Sequence, residues 1–128
     1  MTEPWLASGV IAVVRLPEPS GLRGVAAALA TGGVAAVEIT LTTPGALAAI
    51  TDLASHGGGS VIGAGTVLDE RAARNVIAAG ARFVVSPTLD RSVVRYCRDQ
   101  AWADLTARAR ALVECVAAAR APLAGAPA

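Results

Sequence analysis

Val34-Ala35-Ala36-Val37-Glu38-Ile39 decides the reading of the fold. It is short, almost wholly apolar and rich in β-branched residues, as expected of a strand covered on both faces. Its one charge, Glu38, begins an alternation in which Glu38, Thr40 and Thr42 interleave with Val37, Ile39 and Leu41. A period of two puts the three polar side chains on one face. Working outward, similar runs recur at Val10-Ile11-Ala12-Val13-Val14, Ser60-Val61-Ile62-Gly63 and Arg82-Phe83-Val84-Val85. The stretches between them are Ala- and Leu-rich and helical in character. Gly32-Gly33 and Gly80 stand where left-handed helix C-caps are expected. Thr43-Pro44 reads as an N-cap followed by proline at the first helical position, and Asp69 and Asp90 read as N-caps. The order is β-α-β-α-β-α-β-α with a parallel sheet, then a final helix over 103–120. One domain over 1–120 is expected, with the β-α units at 8–99 and a frayed tail at 121–128.

Composition agrees with one folded domain. The chain has 128 residues, of which 54% are hydrophobic and 16% charged, so a core is affordable and disorder is excluded. No apolar run approaches the roughly 20 residues of a membrane span, so no membrane partner is expected. A net charge of +1 points to no nucleic acid or other polyanion. All 11 basic residues are arginine, and the chain contains no lysine. Cys97 and Cys115 make no disulfide framework. Met1 to Trp5 lacks the pattern of a secretory leader, and a cytoplasmic location is expected.

In parallel α/β proteins chemistry gathers at the carboxyl ends of the strands. Arg15 closes the first run, Thr66 follows Gly63-Ala64-Gly65 at the third, and Ser86-Pro87-Thr88 ends the fourth. Glu38 has two readings: a structural ion pair with Arg15, or a general acid/base at a barrel mouth. Arg15 likewise suits either that pair, simple exposure, or a substrate carboxylate. Gly63-Ala64-Gly65-Thr66 lacks the third glycine of a dinucleotide fingerprint and reads instead as a tight turn. His56-Gly57-Gly58-Gly59 has no Gly-x-Ser-x-Gly elbow to serve, so His56 reads as a solvated loop residue. One histidine and two cysteines are too few for a zinc site. Arg91, Arg95 and Arg98 read as a solvated helix face, and Trp5 and Trp102 are too few for a nucleic-acid stacking platform.

Taken in order, Gly9 to Arg15, Val37 to Thr43, Ile62 to Val67 and Phe83 to Pro87 closely resemble the bacterial 2-keto-3-deoxy-6-phosphogluconate (KDPG) and 4-hydroxy-2-oxoglutarate (KHG) aldolases, over roughly residues 8 to 99. The resemblance implies a (β/α)8, or TIM, barrel and a class I aldolase that joins a lysine to a 2-keto acid as a Schiff base. It implies no metal or organic cofactor. By the same resemblance Glu38 matches the catalytic glutamate, which moves protons through a water. Thr66 matches a threonine near the pyruvate carboxylate, Arg15 a strand-end arginine for that carboxylate, and Pro87 a proline lining the pocket. Thr42 stands where some members carry an arginine.

The family's Schiff-base lysine and phosphate-binding segments have no counterpart here, while 102–120 resembles the family's last helix. The expectation is a truncated barrel, joined by an internal deletion near 99–103: four parallel β-α units and a C-terminal helix forming a half-barrel or open parallel sheet. Such a chain is expected to lack turnover, because a Schiff base needs an amine nucleophile. A non-catalytic site for a pyruvate-type 2-keto acid, or an assembly module self-associating through the open half-barrel, is the alternative. A flavodoxin-like domain ranks last, because Arg15 to Pro19 is poor in the glycine that a phosphate loop requires.

Overall fold

The computed structural model describes residues 5, 7–56, 58–99 and 117. The element order is β1 (Ile11–Val14), a 3-10 turn at Pro19–Gly21, α1 (Leu22–Thr31), β2 (Ala36–Thr40), α2 (Ala46–His56), β3 (Val61–Gly65), α3 (Glu70–Ala78) and α4 (Arg91–Asp99). The strands are parallel in the order β1-β2-β3. The helix expected over 103–120 and the tail at 121–128 lie outside the described residues, apart from the helical Ala117. Cys115 and Trp102 lie outside them too.

Register assigns the two faces of the sheet. Val37 pairs with Ala12 and Ile62, and Ile39 with Val14 and Ala64, so these side chains share one face. Against them pack Leu22 and Ala26 of α1, Ile50 and Leu53 of α2, Ala73 and Val76 of α3, and Val93 and Tyr96 of α4. The other face carries Ile11, Val13, Ala36, Glu38, Thr40, Val61, Gly63 and Gly65. On it Ile11 is 43% and Val13 61% exposed, and among the described residues no strand flanks β1 on its outer edge. The Phe83 ring covers Gly63, and Trp5 stacks on Phe83 with centroids 5.1 Å apart.

The fourth run departs from expectation. It joins β3 through Arg82 N to Ile62 O at 2.8 Å, Ala64 N to Phe83 O at 3.0 Å, and Val85 N to Ala64 O at 2.8 Å. Only Ala64 and Val84 form a complete bridge, so this is a strand in outline. Val67 N then donates to Val85 O at 3.2 Å, and the bond after that would need an N–H at Pro87, which has none.

Caps follow the sequence at four of five places. Asp69 Oδ1 accepts the Ala72 N–H at 2.7 Å, and Asp90 Oδ1 accepts those of Ser92 at 2.7 Å and Val93 at 3.2 Å. These bonds, with the Ser92 hydroxyl foremost, hold the Asp90 carboxyl below its usual range. Gly33 and Gly80 take φ of 91° and 104° after α1 and α3, as helix C-termini favour. Thr43-Pro44 does not start α2. Gly45 turns left-handed at φ 69°, the helix begins at Ala46, and Thr43 is buried facing another loop.

Helix-to-helix polar links are at the surface. The Arg23 guanidinium clasps both Asp52 oxygens across α1 and α2, and Arg74 lies 4.5 Å above the Tyr96 ring across α3 and α4. The Arg23 bond holds the Asp52 carboxyl below its usual range. These add little beside the apolar core. Ile50, fully buried between α2 and the sheet, is the sharper probe. Ile50→Ala should cost about 2–5 kcal/mol in urea unfolding followed by circular dichroism.

Candidate functional site

Glu38 lies in the middle strand, where both neighbours pair with it: Val13 on β1 and Gly63 on β3. It is 6% exposed, and its carboxyl leans along β3 toward the carboxyl end. It can do so because Gly65 has no side chain. A Cβ at Gly65 would overlap the Glu38 carboxyl, as one at Gly63 would overlap the Phe83 ring. Glycine is needed here for space.

The ion-pair reading of Glu38 is overturned. Among the described residues neither Glu38 nor Arg15 makes an ion pair or side-chain hydrogen bond, and Arg15 is exposed just beyond β1. Burial alone pushes the Glu38 carboxyl above the ordinary glutamate value of 4.5. A buried carboxyl with a raised pKa, unpaired among the described residues, is suited to taking and giving a proton.

Thr42 departs from the expected alternation. β2 ends at Thr40, and the chain turns before Thr42, which is exposed. The turn still brings Thr42 Oγ1 to 3.0 Å from Thr40 Oγ1. Thr66 follows Gly65 at φ 61°, a left-handed conformation that is a real outlier for a β-branched residue. It costs of order 1–3 kcal/mol, and such residues cluster at functional sites. The turn there is tight, and its Val67 N–H is spent on Val85 O at 3.2 Å. Pro87 is exposed after the bridge.

The structure thus gathers Glu38, Gly65 and Thr66 at one strand end, and Thr40, Thr42 and Thr43 at the next. Among the described residues no hydrogen bond or ion pair links Arg15, Thr66 or Pro87 to Glu38. Two further residues belong to this end of the sheet. The Thr43 hydroxyl, in a side chain only 2% exposed, accepts the Leu16 N–H at 3.3 Å. The Ser86 hydroxyl is buried without a partner among the described residues. Ser86 stands beside Pro87 in sequence, and that adjacency is the signal that could have found it. Thr43 carried no such signal, because its partner is 27 residues away.

The remaining candidates lie elsewhere. His56 is not in a loop: it is the exposed last residue of α2, with Nδ1 2.8 Å from Asp52 O. Cys97 is half-buried, and burial raises its thiol pKa. Arg91, Arg95 and Arg98 are exposed on α4. Among the described residues no three His, Cys, Asp or Glu side chains converge as metal ligands, and no helix is long and apolar enough to cross a membrane.

A parallel β/α sheet with its polar residues at the carboxyl ends of the strands belongs to the α/β class, which holds both (β/α)8 barrels and doubly wound folds. Comparison with known proteins makes this specific. Residues 5–112 match the family described as "Aldolase: KDPG and KHG aldolase", and the chain belongs to that family. It is 41% identical over 88 residues to a 2-dehydro-3-deoxy-phosphogluconate aldolase of Treponema pallidum, covering 69% of this chain and 42% of that protein. With the enzyme of that name from Pseudomonas aeruginosa it shares 39% over 90 residues, 70% of this chain and 41% of the relative. The fold matches a KDPG aldolase of Legionella pneumophila, solved with pyruvate captured at low pH as a covalent carbinolamine intermediate. That match has a TM-score of 0.68 and 37% identity over 74% of this chain and 46% of the other. The chain spans less than half the length of these relatives.

Two predictions follow from the Glu38 geometry. Because the folded state binds the Glu38 proton more tightly than the unfolded state, its contribution is fully present below the unfolded value near 4.5 and is lost as pH rises through the folded value. Glu38→Gln should therefore gain on the native chain as pH rises from acid to neutral, measured by urea unfolding across pH. Gly65→Ala forces the carboxyl aside and should destabilise by about 1–3 kcal/mol. In the double variant with Glu38→Ala, that cost should shrink.

Proposed function

We propose that this chain carries the carboxylate-binding and proton-transfer half of a keto-acid aldolase site, and that the 128 residues alone do not turn substrate over. The observation supporting the first part is Glu38: buried, unpaired and leaning over Gly65 toward the strand end. On this reading Glu38 is the proton shuttle through a water, as the resemblance to the family implies. Arg15, Thr42 and Thr66 serve a pyruvate-type carboxylate, and Pro87 lines the pocket. Exposed Arg15, with no internal partner among the described residues, is available to an anion.

The second part is an argument from chemistry. A carbinolamine and the Schiff base beyond it form when an unprotonated amine adds to the keto carbon, and water then leaves. The chain has no lysine, and arginine stays protonated. No side chain of the sequence is then left to act as that amine. Without the covalent intermediate Glu38 has no carbanion to protonate. Residues 1–120 as a single truncated-barrel domain, working in the cytoplasm, complete this reading.

A second reading, an assembly module, is favoured by a β1 edge that no described strand pairs and by the exposure of Ile11 and Val13. It predicts a discrete dimer by light scattering after size exclusion, which Val13→Glu should shift toward monomer.

The catalytic reading is tested with borohydride. Purified chain incubated with pyruvate and sodium borohydride should show no covalent adduct by mass spectrometry. A lactate-dehydrogenase-coupled assay on KDPG should show no pyruvate release. A reduced adduct, or cleavage at the rate of a full-length family member, would overturn the assignment. Pyruvate should still shift amide resonances near Arg15 and Thr66.

A further inference from the structure

Three threonine hydroxyls form a line at the carboxyl end of β2. Leu16 N donates to Thr43 Oγ1 at 3.3 Å, Thr43 Oγ1 stands 3.5 Å from Thr40 Oγ1, and Thr40 Oγ1 stands 3.0 Å from Thr42 Oγ1. Thr40 and Thr43 are buried, at 1% and 2% exposure, while Thr42 is exposed. The line runs from the backbone beside Arg15 to Thr42, a residue exposed to solvent.

Its polarity is determined at the buried end. A hydroxyl has one proton to donate. Thr43 Oγ1 already accepts from Leu16, so its own proton needs an acceptor, and among the described residues Thr40 Oγ1 is the one within reach. Thr40 then spends its proton on Thr42 Oγ1. Thr42 accepts that bond and keeps its proton for the outside. The reverse direction would leave the Thr43 proton buried without an acceptor, at the cost of an unmade hydrogen bond.

We propose that Thr43 is a positioning residue: it ties the Arg15 loop to the end of β2 and, through Thr40, orients Thr42 as an outward hydrogen-bond donor for an anionic ligand. This rests on the carboxylate-site reading above and adds a mechanism to it. Arg15 supplies charge, Thr42 supplies a directed donor, and the buried pair holds the two at fixed separation.

The test uses the full chain, amide and hydroxyl exchange by nuclear magnetic resonance, and pyruvate as the probe. Thr43→Val keeps the shape and removes both bonds. It should speed Leu16 amide exchange by a factor of about ten and weaken pyruvate binding by a factor of about three to ten. Thr43→Ser should restore both to within about twofold. Thr42→Val should weaken pyruvate by a similar factor while leaving Leu16 exchange unchanged. Unchanged Leu16 exchange in Thr43→Val overturns the tether, and unchanged pyruvate affinity in that variant overturns the positioning role. If Thr43→Val does not fold, the native chain decides. Slowly exchanging hydroxyl protons on Thr43 and Thr40, with a nuclear Overhauser contact from the Leu16 amide, support the line, and rapid exchange at Thr43 overturns it. A native chain with no pyruvate response overturns the carboxylate reading itself, an outcome told apart because it involves no variant.

Discussion

The site depends on one steric allowance: the Glu38 carboxyl occupies the space where residue 65 would carry its Cβ. A charged side chain in the central strand of a parallel sheet has nowhere to go if its neighbours are large. β3 answers with Gly63 and Gly65 on the same face, one covered by Phe83 and the other by Glu38. Parallel register, with Glu38 beside Gly63 and Thr40 beside Gly65, makes this possible. A slip of one residue would face Glu38 into the helix-covered core and bring Val37 or Ile39 to the polar side.

The same end of the sheet is where the backbone leaves its ladder, and the loops there are tied to one another. Leu41 N donates to Gly65 O at 2.9 Å, Leu16 N to Thr43 Oγ1 at 3.3 Å, and Val67 N to Val85 O at 3.2 Å. Pro87 ends the pairing by lacking an N–H. Chemistry collects here because the strand ends project side chains that the helices do not cover, and because each loop is braced by its neighbour. The left-handed Thr66 fits this picture, as strained backbone persists only where the surroundings over-determine it.

On the function proposed above, family membership and chemical competence separate in this chain. The strand-end residues resemble an aldolase at four places, and the architecture follows. The nucleophile is a different matter, because a sheet can position a carboxylate and an arginine without supplying an amine. A chain with 11 arginines and no lysine has cations in abundance, all of the type that binds anions and does not attack carbonyls.

Much of this was legible in the order of residues. Apolar runs of strand length, glycines after helices, and Asp69 and Asp90 before them are local signals, and local hydrogen bonding and backbone sterics enforce them. The parallel α/β class and the polar strand ends follow from those signals. Four matters needed the tertiary structure. The ion pair of Glu38 with Arg15 is absent, Thr43 caps another loop in place of its own helix, the fourth strand closes after one bridge, and Ser86 has no partner among the described residues. Each depends on which residues from distant parts of the chain become neighbours. Spacing along a chain determines periodicity and caps. Register between strands, set only when the whole sheet packs on its helices, decides which polar atoms meet and which are left alone.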